Sequence, residues 1–355
     1  MKLHRNLFPQ VCSFENLHRA AREARRGKRD REEVAEFEYD AEKNLLELQA
    51  ELLDGGYRPG PYRHFWIRDP KLRKISAAPF RDRVVHHALC QVIEPIFERT
   101  FIHDSYACRV GMGTHRAVDR CQAFARRHAY VLKADIRKFF PSVDHAILLD
   151  LLARRIADLQ VMELIRRIVK SGEGVLDEDY VMHWFPGDDL LTPLRPRGLP
   201  IGNLTSQFWG NVYLDGLDQH VKRRLGCRAY ARYVDDFILF ADDKARLHGW
   251  REEIGCWLER LRLTLHPRKS VVFPVRDGID FLGYRVFPTR RRVRRVAVRR
   301  FTRRLRRLRE SYRAGEVELD RVHQSVQSWI AHASHAQSYG LRRAVLGGIP
   351  FSRGR

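Results

Sequence analysis

Residues 230–241 read YARYVDDFILFA, and no other stretch restricts the fold as tightly. Residues of high strand propensity flank two adjacent aspartates, Asp235 and Asp236. Two like charges side by side repel each other and cannot be buried within a strand. Aspartate is a turn former, so the stretch predicts a β-hairpin, RAYARY followed by FILFA, with the carboxylates at its tip. An aspartate pair taken alone is most often a solvated turn. Asp242 and Asp243, just downstream, are read that way, as a turn and a helix cap.

Carboxylates held together at a tip suit a hard divalent cation, which prefers oxygen ligands. A third carboxylate is available in YVLKADI (130–136), a strand candidate that carries Asp135. Two strands of one sheet would bring Asp135 alongside Asp235. Such a set suits two-metal phosphoryl transfer, in which ions roughly 3.5–4 Å apart stabilise the attacking and leaving oxygens.

Around these strands the chain alternates helical and extended patterns. Residues 13–54 read as polar helix, with Phe37, Leu45, Leu48 and Leu52 as a loose apolar stripe. DGGYRPGPY (54–62) breaks it. A basic segment follows whose second half is helical, with Val84, Ala88, Val92 and Ile96 four apart. The chain turns at Pro141 and opens a helix for which Ser142 or Asp144 is the N-cap. A Pro/Gly loop at 196–203 leads into an apolar helix with Leu204, Phe208, Val212 and Leu217. Asp242 or Asp243 caps a helix carrying Leu247, Trp250, Ile254, Trp257 and Leu261, and two strands follow, VVFPV and IDFLGYRVF. Helices, strands and hairpins in this mixture predict an α+β fold.

Charge narrows the partner. Lys and Arg total 66 against 44 Asp and Glu, a formal charge of +22. An excess of that size favours a polyanion, and nucleic acid is the first candidate. It is clustered: 12 of the 20 residues in 290–309 are Arg. Phe301, Leu305, Leu308 and Tyr312 recur there at helical spacing, so 290–309 predicts an amphipathic helix with a cationic face. A second helix carries Val322, Val326, Trp329 and Ile330. The six cysteines form no C-x-x-C pair, which argues against zinc and against a disulfide framework. The N-terminus lacks a secretory pattern and no apolar run reaches membrane-spanning length, so a cytoplasmic protein is expected.

In order along the chain, several segments resemble the motifs of reverse transcriptases. YVDDFILF resembles their Y-x-D-D hairpin, and LKADIRKFFPSVDH their first palm motif. RGLPIGNLTSQFWGNVYLD resembles their Pro-x-Gly segment and the helix after it, while LTLHPRKS and FLGYRV are similar to the later palm motifs. RKISAAPFRDRVVHHAL and SYACRVGMGTHRAV resemble the fingers of the bacterial enzymes related to group II introns and retrons. The resemblance runs from about residue 65 to 345 and implies a right-hand polymerase with fingers, a palm with an antiparallel sheet, and a helical thumb. Its divisions would be an N-terminal helical extension (1–60), interleaved fingers and palm (61–289), the Arg-rich thumb (290–345) and a tail (346–355).

The resemblance also implies roles. Asp135, Asp235 and Asp236 would be the catalytic and metal-binding carboxylates, with two Mg²⁺ ions as cofactor and Mn²⁺ as the alternative. Phe140 would be the steric gate against a 2′-hydroxyl, with Phe139 in the core. Arg73 and Lys74, with Lys71 nearby, would meet the incoming triphosphate. Lys269 would protonate the leaving pyrophosphate. Tyr233 would lie at the primer end or the palm floor, and Arg232 has no assigned role. Arg299, Arg300, Arg303, Arg304 and Arg307 would hold the template–primer duplex.

One departure narrows the subgroup. Most of the family has Gln after Leu-Pro and Pro further on, where this chain has Ile201, before Gly202, and Gln207. That variant resembles the enzymes of diversity-generating retroelements, which copy a template RNA with frequent errors at adenines. The implied partners are template RNA, primer or cDNA, dNTPs and a small basic accessory protein, for which the N-terminal helices offer a docking surface. After the thumb there is no room for an RNase H, maturase or endonuclease domain. Three alternatives stay open: a retron, CRISPR-associated or phage-defence reverse transcriptase; a non-catalytic RNA-binding protein on a polymerase scaffold; and an RNA-dependent RNA polymerase, against which Phe140 speaks.

Overall fold

The computed structural model describes residues 2–68, 72–348 and 351. The chain begins with four helices, α1 (Phe8–Cys12), α2 (Phe14–Ala24), α3 (Glu32–Tyr39) and α4 (Ala41–Leu53). Strands β1 (Arg63–Arg68) and β2 (Leu72–Ala77) precede α5 (Phe80–Glu98), α6 (Thr114–Ala125) and β3 (Tyr130–Asp135). Then come α7 (Phe139–Ser142), α8 (His145–Ala153), α9 (Leu159–Ser171) and α10 (Leu204–Gln219). β4 (Tyr230–Tyr233), β5 (Asp236–Ala241), α11 (Lys244–Glu259) and β6 (Val271–Pro274) follow. The chain ends with β7 (Ile279–Phe281), β8 (Tyr284–Val286), β9 (Arg291–Val293), α12 (Arg295–Arg313), α13 (Leu319–Ser334) and α14 (Tyr339–Gly347).

These elements form two compact units, each gathered from three stretches of chain. The first is Met1–Cys108, Asp135–Gly226 and Glu252–Pro267; the second is Arg109–Ala134, Cys227–Arg251 and Arg268–Arg355. Residues 1–60 thus fall within the first unit and 290–345 within the second.

In the first unit α5 is the central helix, buried on most of its surface and packed against α2 and α10. Ser13 caps α2 by accepting from the Asn16 amide at 3.3 Å. Phe37, Leu45, Leu48 and Leu52 are buried, as their spacing predicts. The N-cap left open between Ser142 and Asp144 is Asp144, whose Oδ1 accepts from the Ile147 amide at 3.1 Å, while Ser142 ends the short α7. The basic segment before α5 holds a hairpin that the sequence reading missed: β1 and β2 pair antiparallel with Arg68 opposite Leu72.

In the second unit four strands form one sheet in the order β4-β5-β3-β6. Helix α6 packs on β4, β5 and β8. Of the two aspartates considered for capping α11, Asp243 accepts from the Ala245 amide at 2.9 Å. Asp242 instead accepts from the Ala129 amide at 3.0 Å. Two other expectations change. IDFLGYRVF is two strands, β7 and β8, because Leu282 (φ 47°) and Gly283 (φ 92°) make a tight turn between them. Residues 290–309 are not helical throughout: Arg291–Val293 form β9, paired with β8, and the helix begins at Arg295. Helices α12 and α13 close on an apolar cluster in which the Phe301 and Trp329 rings stack at 4.2 Å.

Candidate active site

The predicted hairpin forms with Tyr233 opposite Asp236, leaving Val234 and Asp235 as a two-residue turn. Tight hairpin turns need positive φ at the first central residue to match strand twist, a position that favours Gly. Here it is Val234, at φ 56°. A β-branched residue in that region is strained by about 1–3 kcal/mol, and such strain concentrates at functional sites. The strands behind the turn are buried, Tyr230 to Arg232 on one side and Phe237 to Phe240 on the other. Asp235 is half-exposed at the tip of these buried strands.

The neighbours of the turn are specific. Arg232 is fully buried, and its Nη1 donates to the Val234 carbonyl at 3.1 Å. Tyr233 Oη accepts from Thr114 Oγ1, on the first residue of α6, at 3.3 Å. Asp236 Oδ2 lies 3.6 Å from Lys133 Nζ, which also donates to the Asp280 carbonyl at 2.8 Å. Burial, reinforced by the Asp236 charge, pushes the Cys121 thiol up and keeps it protonated. Asp135 is the last residue of β3, the strand next to β5 in the sheet, and its carbonyl accepts from the His266 amide at 2.7 Å. The LTLHP segment thereby runs beside residues 135–137, with Ile136 bridged to Leu265.

In the first unit the Leu-Pro-Ile-Gly loop is bound to the end of β2. The Ile201 carbonyl accepts from the Ser76 amide at 2.8 Å. Asn203 completes the seam, its Oδ1 accepting from the Ala78 amide at 3.1 Å and its Nδ2 donating to the Ser76 carbonyl at 3.0 Å. Gly202 has φ 120°, and a Cβ there would stand 2.8 Å from Ile75 Cγ2, so the loop could not seat against the strand with another residue. Gln207 is exposed on the first turns of α10. Phe139 is buried against Tyr213, while Phe140 is half-exposed with its ring edge-on to Phe139 at 5.2 Å.

Arg73 and Lys74 are consecutive on β2, so their side chains leave opposite faces of the hairpin. Arg73 shares its face with Ile75, which abuts Gly202, and Lys74 does not. Lys71 lies outside the described residues. Lys269 sits half-buried in the turn before β6. On α12 Arg299, Arg303, Arg304 and Arg307 are exposed and Arg300 is half-buried. Arg299, Arg303 and Arg307 stand four apart, on the face away from Phe301 and Leu305. Sequence reasoning missed Lys133, Asn203 and the contact of Arg232. Only the last had a signal, a charged residue inside an apolar strand.

Among the described residues no group of three or more His, Cys, Asp or Glu side chains stands ready to hold a metal ion. Asp235 and Asp236 bring carboxylate oxygens to the hairpin, the ligand type that Mg²⁺ takes, commonly one or two carboxylates together with substrate phosphates. No described helix is long and apolar enough to cross a membrane.

The model of the reverse transcriptase (RNA-dependent DNA polymerase) family matches residues 68–286, more than half of the chain. Protein YkfC of Escherichia coli (strain K12) is 29% identical over 285 residues, covering 69% of this chain and 71% of YkfC. The group II intron-encoded protein LtrA of Lactococcus lactis subsp. cremoris is 26% identical over 184 residues, 51% of this chain but only 28% of LtrA. A solved apo telomerase from Candida Tropicalis, truncated from its C-terminal domain, superposes with a TM-score of 0.48 at 12% identity. That superposition covers 71% of this chain and 60% of the telomerase chain.

Proposed function

The chain belongs to the reverse transcriptase (RNA-dependent DNA polymerase) family, and from that premise we propose that it copies a template RNA into cDNA at the β4–β5 hairpin by two-metal nucleotidyl transfer. The observation that carries this reading is the strained two-residue turn, which spends a valine at φ 56° to hold Asp235 at the end of two buried strands. Asp135, closing the neighbouring strand, and Asp235 would hold two Mg²⁺ ions, with Mn²⁺ as the alternative. When bound, those ions would make the primer 3′-hydroxyl nucleophilic near neutral pH and offset charge on the phosphates. Asp236, with Lys133 beside its carboxylate, would stay in an outer role.

The chain's other residues bind and orient. Arg73, on the face of Ile75 and Gly202, would meet the triphosphate, and Lys269 would donate a proton to the leaving pyrophosphate. Lys74 would serve the opposite face of the hairpin. Phe140 would exclude a 2′-hydroxyl, and Tyr233 would support the primer end. The exposed arginines of α12 would hold the duplex through its phosphates, without reading sequence.

Within the family we assign the chain to the diversity-generating type, on the strength of Ile201 and Gln207. Glutamine can hydrogen-bond near the nascent pair, whereas isoleucine senses shape only, so pairing errors at adenines are less strictly rejected. A small basic accessory protein would then be a partner. The similarity to LtrA favours a second reading, an enzyme serving an intron-like or other mobile element with ordinary fidelity.

Primer extension on an RNA template with Mg²⁺ and dNTPs tests both levels. Asp235→Asn is expected to abolish extension while leaving RNA binding intact. Extension that persists in this variant removes the assignment of Asp235. Sequencing the cDNA decides the type. Errors concentrated at template adenines, and reduced in Ile201→Gln, support the mutagenic reading. Accurate copying moves the chain to the retron or defence group, and tight RNA binding with no extension by wild type supports the non-catalytic scaffold.

A further inference from the structure

We propose that Tyr284 is a positioning residue: with His115, His332 and His335 it forms a joint that fixes α13 to α6 and β8 and opens when the histidines take up protons. Its effect on duplex binding rests on the polymerase reading above. Tyr284 is fully buried, and its hydroxyl is the centre of the joint. The hydroxyl donates to the His332 carbonyl at 2.7 Å, in the last turn of α13, where a helix leaves carbonyls without partners. A phenol has one proton to give. The ring nitrogens that reach the same oxygen, His332 Nδ1 at 2.9 Å and His115 Nε2 at 3.3 Å, must therefore donate to it. Gly283 allows the close approach, since a Cβ there would stand 3.2 Å from His332 Cε1. His335 stacks on His115 with ring centres 4.2 Å apart. Its Nε2 lies 2.8 Å from Arg291 Nη1, and because a guanidinium only donates, this nitrogen accepts and carries no proton.

The joint needs neutral rings. A protonated His335 loses the bond from Arg291 and sets a cation against a cation. Burial, then the neighbouring His115 and His335, holds His332 below the usual imidazole range. Burial holds His335 there too, and His115 and Arg291 add to it. They outweigh Asp119, whose Oδ1 is 3.3 Å from the same Nε2, a hydrogen bond to the His115 backbone, and the negative end of α13. Burial pushes the Tyr284 phenol up to about 12, so it keeps its proton. Released rings return to about 6.5, so the docked arrangement is fully favoured above about pH 6.5 and weakens as pH falls. What the joint connects gives it a function. Helix α13 carries α12 through the stacked Phe301 and Trp329. Helix α6 packs on β4 and β5, and Thr114, next to His115, donates to Tyr233 of the hairpin. The arginines of α12 are thereby held in place relative to the hairpin that carries Asp235.

The test compares wild type, Tyr284→Phe and the double variant His332→Gln with His335→Gln, in the full chain, at pH 7.5 and 5.5. Glutamine can donate and accept as an imidazole does, and it does not titrate. At pH 7.5 Tyr284→Phe is expected to raise KM for a template–primer about tenfold, the scale of a lost buried hydrogen bond, with little change in kcat at saturating duplex. Amide hydrogen exchange, corrected for its intrinsic pH dependence, reads the joint apart from activity. Between pH 7.5 and 5.5 protection in α13 of wild type should fall by up to about tenfold for each of the two histidines. In the double variant α13 should keep its protection, and KM should change with pH by less than in wild type. Should that variant not fold, His335→Gln alone is expected to remove up to about tenfold of the loss. Equal pH dependence of α13 protection in wild type and variant, or an unaltered KM in Tyr284→Phe, makes the cluster static packing and overturns the proposal. Wild type that extends no primer defeats the polymerase reading instead. Hydrogen exchange alone then decides the joint, with a loss of protection confined to wild type supporting it and an equal loss removing it.

Discussion

At the scale of single residues, adjacent positions carry opposite burdens, and Phe139 and Phe140 are the clearest pair. Phe139 is buried with Tyr213 and the face of α10 around Gly210; Phe140 leaves part of its ring in the open. The two should separate experimentally. Phe139→Ala is expected to cost about 3–5 kcal/mol of stability, as large-to-small changes in a filled core do. Its preference for deoxynucleotides over ribonucleotides should not change. Phe140→Ala should fold nearly normally and lose roughly 10–100-fold of that preference, since one steric contact carries a discrimination of that order. Steady-state kcat/KM for dNTP and rNTP, measured beside urea unfolding, reads both. A Phe140→Ala enzyme that still rejects ribonucleotides would place the gate elsewhere. The aspartate pair was legible in the sequence because it breaks a local pattern, whereas the division between Phe139 and Phe140 came only from the resemblance to reverse transcriptases. Lys133 and Asn203 were not, because an ordinary polar residue acquires its meaning only from the distant backbone it reaches.

Among the elements, those with a strong period or cap were readable and those defined by remote pairing were not. The stripe Phe37, Leu45, Leu48, Leu52 is a local signal and is buried as the pattern has it, and the N-cap is one of the two residues the pattern offered, Asp144. Strand β1 is exposed at every residue, so it has no alternation to detect. β9 begins an arginine run that looks helical, but its pairing with β8, across a turn in which the Phe287 amide donates to the Arg290 carbonyl at 2.8 Å, holds the first residues extended. Helix α5 shows what continuous burial costs an ionisable group. His86 lies in its buried face with Nδ1 unpartnered, and burial, with smaller contributions from His87 and Arg83, pushes its pKa down to about 3. The folded chain therefore leaves His86 neutral where the unfolded chain, with a value near 6.5, takes up a proton. The sign follows: the stability this group contributes is complete above about pH 6.5 and falls by about 1.4 kcal/mol per pH unit on the way down to 3. Lowering the pH from 7 to 5 should cost about 2 kcal/mol through His86 alone. His86→Leu should flatten the acid limb of Tm against pH by that share. An identical acid limb in the variant would show that the proton goes elsewhere.

For the whole molecule the decisive quantity is charge, and composition alone made it visible. A surplus of 22 positive charges predicts attraction to nucleic acid, yet it does not say how many of those charges touch phosphate. The placement of the arginines does. Several of those in α12 are drawn out on the face opposite Phe301 and Leu305, where solvent or a duplex can reach them. Many other cations are engaged within the fold, as Arg83 is with Glu33 and Arg291 with Asp119. The salt dependence of binding counts phosphate contacts and not net charge, with a slope of about −0.9 per contact on a duplex. The slope of the log association constant against log salt for a template–primer duplex should therefore fall, in magnitude, well short of the formal charge. Arg303→Ala with Arg307→Ala should reduce it by roughly 1.8 if each holds one phosphate. The maximal rate at saturating duplex should stay as it was, because neither residue belongs to the hairpin. An unchanged slope would mean that this face of α12 is solvated and that the duplex is held by other arginines. The excess charge would then act mainly by steering nucleic acid toward the protein, an effect that appears in the association rate and fades as salt rises.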